Sequence, residues 1–222
     1  MKTTLIVCTF NEENTINHVV RVGKKFVDEV IVIDGHSTDK TIDLMQKMGI
    51  TVFQDEGRGK GQAIRLGIYQ AKGDIIVFMD ADGSHEPRDI PRLIAPIQEN
   101  RADLVVASRG IGGSDELSGS TEKYLRLIGS SIINLVINLR FKSRITDAQN
   151  GFRAIKKNVA ISLDLKEDGF TIEQEMVMKA LKKQCRIVDV PSHEYARKYG
   201  HSRIDLFKVA FRYVWCVIIN IL

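Results

Sequence analysis

Gly73-Asp74-Ile75-Ile76-Val77-Phe78-Met79-Asp80-Ala81-Asp82-Gly83-Ser84-His85-Glu86-Pro87 is the stretch that decides the fold. Five apolar residues, Ile75 to Met79, stand between polar and turn residues. A run of that length fits a strand buried on both faces better than a helix. Asp80 and Asp82 fall where the strand would end, and Gly83-Ser84 lets the chain turn away. In α/β sheets, ligands collect beyond the carboxyl ends of strands. Residues i and i+2 of an extended segment point the same way, so both carboxylates can face one ligand. Mg²⁺ is commonly held by one or two carboxylates together with substrate phosphates. The stretch therefore reads as a site for a metal-bound, phosphate-bearing donor. A polar turn uses the same residue types, so the neighbours must decide. A calcium loop fails on spacing: counted from Asp80, its glycine falls on His85 and its closing glutamate on Pro91.

Upstream, strands are expected at residues 3–8, 29–34 and 52–53. Between them, helical spacing appears at Ile16, Val19, Val20 and Val27, and again at Ile42, Met45 and Met48, with Ser37 or Thr38 as a cap. Gly57-Arg58-Gly59-Lys60-Gly61 leads into a helix carrying Ala63, Ile64, Gly67, Ile68 and Ala71. That loop lacks the Gly-Lys-Ser/Thr of a P-loop and the last spacing of Gly-x-Gly-x-x-Gly. It still offers backbone N–H groups at a helix start and two cations, which suits a diphosphate. As a plain glycine-rich turn, Arg58 and Lys60 would be solvated. Downstream come a proline-started helix around Leu93, Ile94 and Ile97 and a strand at Leu104 to Ala107. Strands alternating with helices predict an α/β fold: a mostly parallel, Rossmann-like sheet with helices on both faces.

The second half reads differently. Gly110 to Thr121 is rich in Gly and Ser and is expected as a mobile loop. Leu127 to Leu139 holds thirteen uncharged residues between Arg126 and Arg140. At ~1.5 Å per residue it is too short for a ~30 Å hydrocarbon core. It is expected to be buried in its middle and to meet a membrane interface at its ends. The segment Asp147 to Arg153 starts another strand, a helix follows with Glu173, Glu175, Met176 and Ala180, and another strand spans Ile187 to Val190. Glu173 and Glu175 are by default surface charges. Arg197 to Arg203 is a basic loop. Phe207, Phe211, Val214, Trp215, Ile218 and Leu222 then share one helical face, with Lys208 and Arg212 on another. The division expected is a catalytic domain over 1–205 and an amphipathic helix over 206–222, suited to a membrane surface or a homo-oligomer contact.

Length and composition allow this. The chain has 222 residues, enough for one good core, and a net charge of +4 that suits phosphates or anionic lipid better than an acidic partner. No like-charge run points to nucleic acid. The three cysteines, Cys8, Cys185 and Cys216, are far apart and lack metal-ligand spacing, which reads as reduced thiols on the cytoplasmic side. The apolar run Leu5 to Phe10 is too short for a signal peptide.

Several segments together resemble a known family. They are Thr9-Phe10-Asn11-Glu12-Glu13, Val32-Ile33-Asp34-Gly35-His36-Ser37-Thr38-Asp39-Lys40-Thr41, and Met79 to Pro87. Ala107-Ser108-Arg109 with Gly112-Gly113, Thr146-Asp147 through Gly151-Phe152-Arg153-Ala154, and Arg197-x-x-Gly200-x-Ser202-Arg203 complete the set. In this order they resemble family 2 glycosyltransferases of the GT-A fold, in the dolichyl-phosphate mannose or glucose synthase branch.

The resemblance implies that Asp80 and Asp82 carry Mg²⁺ or Mn²⁺, with Ser84 near it. It implies that Thr9, Asn11, Glu12 and Asp34 border the nucleotide; Lys60 and Asp80 join them on the donor side. Arg109, Arg126, Ser130, Arg197 and Arg203 would gather the acceptor phosphate and the donor diphosphate. The implied reaction moves a hexose from UDP-glucose, UDP-N-acetylglucosamine or GDP-mannose to dolichyl or another polyprenyl phosphate, with inversion. It would occur at the cytoplasmic membrane face and feed glycan or glycoprotein assembly. A lipid monophosphate is mostly ionised at neutral pH, so Asp147 is expected to position an arginine rather than act as a base. The alternatives are a glycan or protein hydroxyl as acceptor, which needs a base, and a non-enzymatic nucleotide-sugar binder.

Overall fold

The computed structural model describes residues 1–115, 121–197, 199 and 206–221. Seven strands form one sheet: β1 (Thr3–Thr9), β2 (Glu29–Asp34), β3 (Thr51–Gln54), β4 (Ile75–Asp80), β5 (Leu104–Ser108), β6 (Arg153–Lys156) and β7 (Ile187–Pro191). Their order is β3-β2-β1-β4-β6-β5-β7. Only β6 runs against its neighbours β4 and β5; the other pairs are parallel. The expected α/β, GT-A-type layering is present.

Around the sheet lie α1 (Ile16–Gly23), α2 (Thr41–Lys47), α3 (Lys60–Gln70), α4 (Ile90–Gln98), α5 (Arg109–Gly112), α6 (Thr121–Phe141), α7 (Lys157–Ser162), α8 (Ile172–Lys182) and α9 (Leu206–Ile221). Alternate residues of β4 feed opposite faces, as the pleat requires. Ile76 and Phe78 pack with Ile64, Ile68, Met176 and Val177. Ile75, Val77 and Met79 pack with Val19, Val20, Leu93 and Ile94. Both faces are covered, which is why β4 carries no polar residue until Asp80.

The topology places the site. The chain winds outward from β1 through β2 to β3, then returns to β4 on the other side of β1, so the strand order reverses between β1 and β4. A crevice at such a reversal is where doubly wound sheets bind ligands. Asp80 is opposite Cys8, and Thr9 opposite Asp34. Ser108 is level with Pro191, so β5 and β7 end on the same edge, and β6 begins there at Arg153.

Several expectations change. Val27 and Met48 lie beyond the ends of α1 and α2, and Ser37 serves Asp34 rather than capping a helix. Of the segment expected as a mobile loop, the described start lies in α5 and pairs Ser114 with Glu194, while residues 116–120 lie outside the described residues. Glu173 and Glu175 are buried, not surface charges. In α6 the middle is not buried all round: Asn134 and Ile137 face inward, while Ile128, Ile132, Leu135 and Leu139 are exposed along its length. The helix packs against α9 and α8 and leaves an apolar side exposed.

Helix α9, expected as an appendage, packs against α6 and α8 with Cys216 and Val217 buried. Phe211, Val214, Trp215 and Ile218 lie exposed on its outer side. Among the described residues no helix is long and apolar enough to cross a membrane. Gly200, Ser202 and Arg203 of the basic loop and Leu222 lie outside the described residues, as do the side chains of Phe207 and Lys208.

Candidate active site

Asp80 ends β4 and Asp82 follows in the turn, and both line a cavity of about 430 Å³. Each carboxylate is held by a cation. Lys60 Nζ lies 2.6 Å from Asp80 Oδ1, and an Arg197 Nη lies 2.9 Å from Asp82 Oδ2. The Ser84 hydroxyl donates to Asp82 Oδ1 at 2.7 Å, and its amide donates to the same oxygen. Ser84, expected beside the metal, therefore aims Asp82. His85 packs on the Phe152 ring, with Nε2 3.8 Å from Asp80 Oδ2.

Lys60 is not the solvated turn lysine that an ordinary glycine loop would carry. Its side chain is largely buried at the start of α3 and bridges Asp80 to Glu173, whose Oε1 is 2.8 Å away. Burial alone would lower its pKa, but Asp80 and Glu173 hold it above the ordinary lysine value. For Asp80, burial raises and Lys60 lowers; the cation wins and the carboxyl lies well below its usual range. Arg58 does stay solvated, paired with Glu56.

Several backbone amides of the glycine loop are already engaged within the chain. The Gly61 amide donates to Asp168 O, and those of Gln62 and Ala63 to Gly59 O. The amides of Glu56 and Arg58 both donate to Gln62 Oε1. A Cβ on Gly61 would run into Glu167 O, so glycine is required for this close approach. What the segment contributes to the cavity is the Lys60 side chain.

On the opposite wall, Arg109 begins α5 immediately after β5. Its Nε and an Nη donate to Asp147 Oδ2 and Oδ1 at 2.7 and 2.9 Å, and its backbone amide donates to Oδ2. Glu194 Oε1 lies 3.4 Å from another Nη. Burial pushes the Asp147 carboxyl up, but the Arg109 charge and hydrogen bonds hold it below the ordinary aspartate value. It is an ionised clamp on Arg109. Arg126 and Ser130 of α6 also line the cavity.

Arg153, fully buried at the start of β6, supports this wall. Its guanidinium donates to the carbonyls of Ala148, Asn150 and Glu173. One strut thereby ties the Asp147–Gly151 loop to the start of α8. Gln149 and Gln174 continue the link to Tyr213 O of α9.

Thr9, Asn11, Glu12 and Asp34 stand at the ends of β1 and β2, beside the cavity but not among its lining residues. The two turns there are stitched together. The Asn11, Glu12 and Glu13 amides donate to Ser37, Thr41 and Asp39, and the Thr38 amide donates back to Asn11 Oδ1. Both Asp34 oxygens accept from Ser37, so its carboxylate shapes this rim. Thr9 Oγ1 is buried without a hydrogen-bond partner. Burial raises the Glu12 carboxyl despite its Thr15 hydrogen bond.

Residues 4–163 match the model of Glycosyl transferase family 2. The chain belongs to that family. A dolichol-phosphate mannosyltransferase of Pyrococcus furiosus is 28% identical over 96% of this chain, which spans 62% of that longer protein. A UDP-N-acetylglucosamine–dolichyl-phosphate N-acetylglucosaminyltransferase of Methanococcus voltae is 27% identical over 94% of this chain and 93% of its own length. Glucosyl-3-phosphoglycerate synthase of Mycobacterium tuberculosis, crystallised with Mn²⁺, UDP and phosphoglyceric acid, superposes over 99% of this chain and 78% of its own, with a TM-score of 0.78 at 21% identity. That likeness shows the shared fold.

As a glycosyltransferase of this family, the chain gathers most of its expected site residues into one cavity. Asp80, Asp82, Ser84, Lys60, Arg109, Arg126, Ser130 and Arg197 line it, and Asp147 stands behind Arg109. Arg203 lies outside the described residues. Sequence reasoning missed Glu173, Glu194 and Tyr213, which also line it. An isolated Glu or Tyr carries no local signal; only the packing of α8, α9 and the segment after β7 brings these three to the cavity.

The donor set suits a hard divalent cation. Asp80 and Asp82 both line the cavity, and among the described residues no third His, Cys, Asp or Glu joins them in a closed cage. Two carboxylates with substrate oxygens are what Mg²⁺ or Mn²⁺ accepts.

Proposed function

We propose that this chain transfers a hexose, with inversion, from a nucleotide sugar to dolichyl or another polyprenyl phosphate at a membrane surface. One observation carries the reading: charged and apolar side chains line the same cavity. Asp80, Asp82, Lys60 and the arginines share the lining with Leu125, Ile132, Ile133 and Val214 of α6 and α9, two helices that also carry exposed apolar side chains. An acceptor with an anionic head and a hydrocarbon tail matches that polarity. The dolichyl-phosphate names of two relatives favour the same class.

Asp80 and Asp82 would hold Mg²⁺ or Mn²⁺, which supplies charge stabilisation for the departing nucleoside diphosphate. Lys60 and Arg197 add cations beside that group. Thr9, Asn11, Glu12 and Asp34 border the nucleoside, and the unpartnered Thr9 hydroxyl supports a hydrogen bond there. Arg109, Arg126 and Ser130 receive the acceptor phosphate, with Arg109 held rigid by Asp147. The acceptor oxygen is already anionic at neutral pH, so it attacks the anomeric carbon without a protein base. The arginines offset its repulsion from the donor diphosphate. The exposed apolar helices fit a peripheral position on the cytoplasmic leaflet.

The test is transfer of radiolabelled hexose into an organic-extractable lipid. Purified protein receives Mn²⁺, dolichyl phosphate and UDP-glucose, UDP-N-acetylglucosamine or GDP-mannose in turn. Lipid-phase counts with one donor, lost in Asp82→Ala, are expected. Nucleotide-sugar binding without lipid-phase counts from any donor would overturn the polyprenyl acceptor.

A further inference from the structure

Glu194 lines the same cavity as Arg109 and, unlike Asp80 and Asp82, has no part in the reaction proposed above. It stands just after β7, in a segment stitched to the one that follows α5. Its amide donates to Gly113 O, and its carbonyl accepts from the Asp115 amide. The side chain lies between two partners. Oε1 is 3.4 Å from Arg109 Nη1, and Oε2 accepts from the Ser114 hydroxyl at 2.5 Å.

The two contacts are unequal. Asp147 takes Nε and Nη2 of Arg109 at 2.7 and 2.9 Å and its backbone amide at 3.1 Å, so the guanidinium is oriented without Glu194. Glu194 addresses Nη1, the nitrogen that Asp147 leaves over, and 3.4 Å is long for a charge-assisted hydrogen bond. The Ser114 bond is short. Glu194 is fastened to Ser114 and rests loosely on Arg109.

Charge decides what this arrangement does. One guanidinium stands between two carboxylates, all three largely buried. A phosphate that reaches Arg109 must take Nη1 from Glu194, since two anions at one N–H repel each other. Transfer then changes the phosphate. One of its oxygens bonds to the anomeric carbon, that carbon's bond to the nucleoside diphosphate breaks, and the diphosphate leaves with the electron pair. A doubly charged monoester has become a singly charged diester, which holds a guanidinium less strongly.

We infer, on the basis of the polyprenyl-phosphate reading above, that Glu194 competes with the lipid phosphate for Arg109 Nη1. The acceptor displaces it, and after transfer Glu194 returns to Nη1 from its seat on Ser114 and helps the lipid product leave. A wall built of arginines alone would bind the acceptor well and release its product slowly.

The test combines equilibrium binding and kinetics on the full chain with Mn²⁺. The probes are a short-chain polyprenyl phosphate and the short-chain polyprenyl hexosyl phosphodiester. Glu194→Gln keeps the shape and the Ser114 bond and removes the charge. It should bind both lipids more tightly, the diester by about tenfold. Single-turnover transfer should run no slower than in the wild type, while steady-state kcat and the acceptor KM should both fall about threefold or more. Ser114→Ala should have the opposite sign: without its seat Glu194 settles on Arg109, and both lipids should bind less tightly. In Ser114→Ala combined with Glu194→Gln that weakening should vanish.

Weaker or unchanged lipid binding in Glu194→Gln would make Glu194 a second brace for Arg109 and overturn the inference. So would equal slowing of single-turnover and steady-state transfer. If Glu194→Gln fails to fold, Ser114→Ala decides by its sign, and tighter or unchanged binding there would overturn the inference too. A wild type that binds nucleotide sugar but neither lipid would instead overturn the polyprenyl-phosphate reading itself, which separates the two outcomes.

Discussion

Lys60 Nζ stands 2.6 Å from Asp80 Oδ1, so the first carboxylate of the Asp-x-Asp pair is already neutralised from within the chain. Arg197 does the same for Asp82 at 2.9 Å. A divalent cation arriving alone must displace two ion pairs and leave two cations beside itself. Arriving with a diphosphate, it brings oxygens that accept the released ammonium and guanidinium. Mn²⁺ alone is therefore expected to bind weakly, and at least about tenfold more tightly with nucleoside diphosphate present. Lys60→Met should raise affinity for Mn²⁺ alone while weakening the nucleotide, since each close charge contact is worth roughly 1 kcal/mol or more in a partly buried site. Mn²⁺ titration by electron paramagnetic resonance reads both. Unchanged binding of Mn²⁺ alone in Lys60→Met would count against this arrangement.

Asp147 tests whether a base is needed. Its carboxyl sits below the ordinary value because Arg109 outweighs burial. A depressed folded-state pKa contributes stability that is present above the unfolded value near ~4 and is lost as pH falls through the folded value. Asp147→Asn should lower stability at pH 7 by about 3 kcal/mol, since it strands a buried guanidinium, and should flatten the acid-side decline. Urea unfolding at pH 7 and at acid pH measures this. Its remaining activity should show a raised acceptor KM and an unchanged pH profile between pH 5 and 8. Disappearance of an ascending limb from that profile would identify Asp147 as the base of a hydroxyl-accepting enzyme.

Periodicity and turn chemistry made six of the seven strands legible, because each apolar run had to be buried and each ended in polar residues; β6, expected from Asp147, begins at Arg153 and is no apolar run. The Asp80–Asp82 turn was legible for the same reason: two carboxylates at the end of an apolar strand have few places to face. Lys60 was not distinguishable from the solvated Arg58 two residues earlier, since only the approach of α8 gives it Glu173. Glu173 and Glu175 looked like helix-surface charges because helical spacing does not reveal that both sides of a helix are covered. The exposure of α6 escaped for the converse reason. An uncharged run reads as core until its neighbours are known.

Gly151→Ala probes how tightly the Lys60–Asp80–Glu173 cluster is fitted. The added methyl would meet the ends of side chains, Lys60 Nζ at 2.8 Å and Asp80 Oδ2 at 3.0 Å, rather than backbone. The fold should tolerate it with a loss of about 1 kcal/mol, at the mild end of overpacking. Sugar transfer should drop at least about tenfold, because both groups must move from their seats. Thermal unfolding and initial-rate assays together check this. A variant with wild-type turnover would show that the cluster has slack.

The outer sides of α6 and α9 give the last test. Leu139 is 73% exposed and Trp215 51%, so neither supports the core strongly. If these helices rest on lipid, their apolar side chains lose water there. At ~25 cal/mol per Å², a half-exposed Leu or Trp contributes about 1 kcal/mol or more. Leu139→Ser and Trp215→Ser should each weaken vesicle binding about fivefold or more, and together more strongly, with thermal stability nearly unchanged. Sedimentation with vesicles of mixed phosphatidylcholine and phosphatidylserine reads the partition, and a detergent-solubilised acceptor assay separates it from chemistry. Full transfer to soluble short-chain polyprenyl phosphate, with reduced transfer to the vesicle-borne acceptor, is the expected pattern. Equal loss on both acceptors would mean that these residues shape the cavity instead of docking it to a membrane.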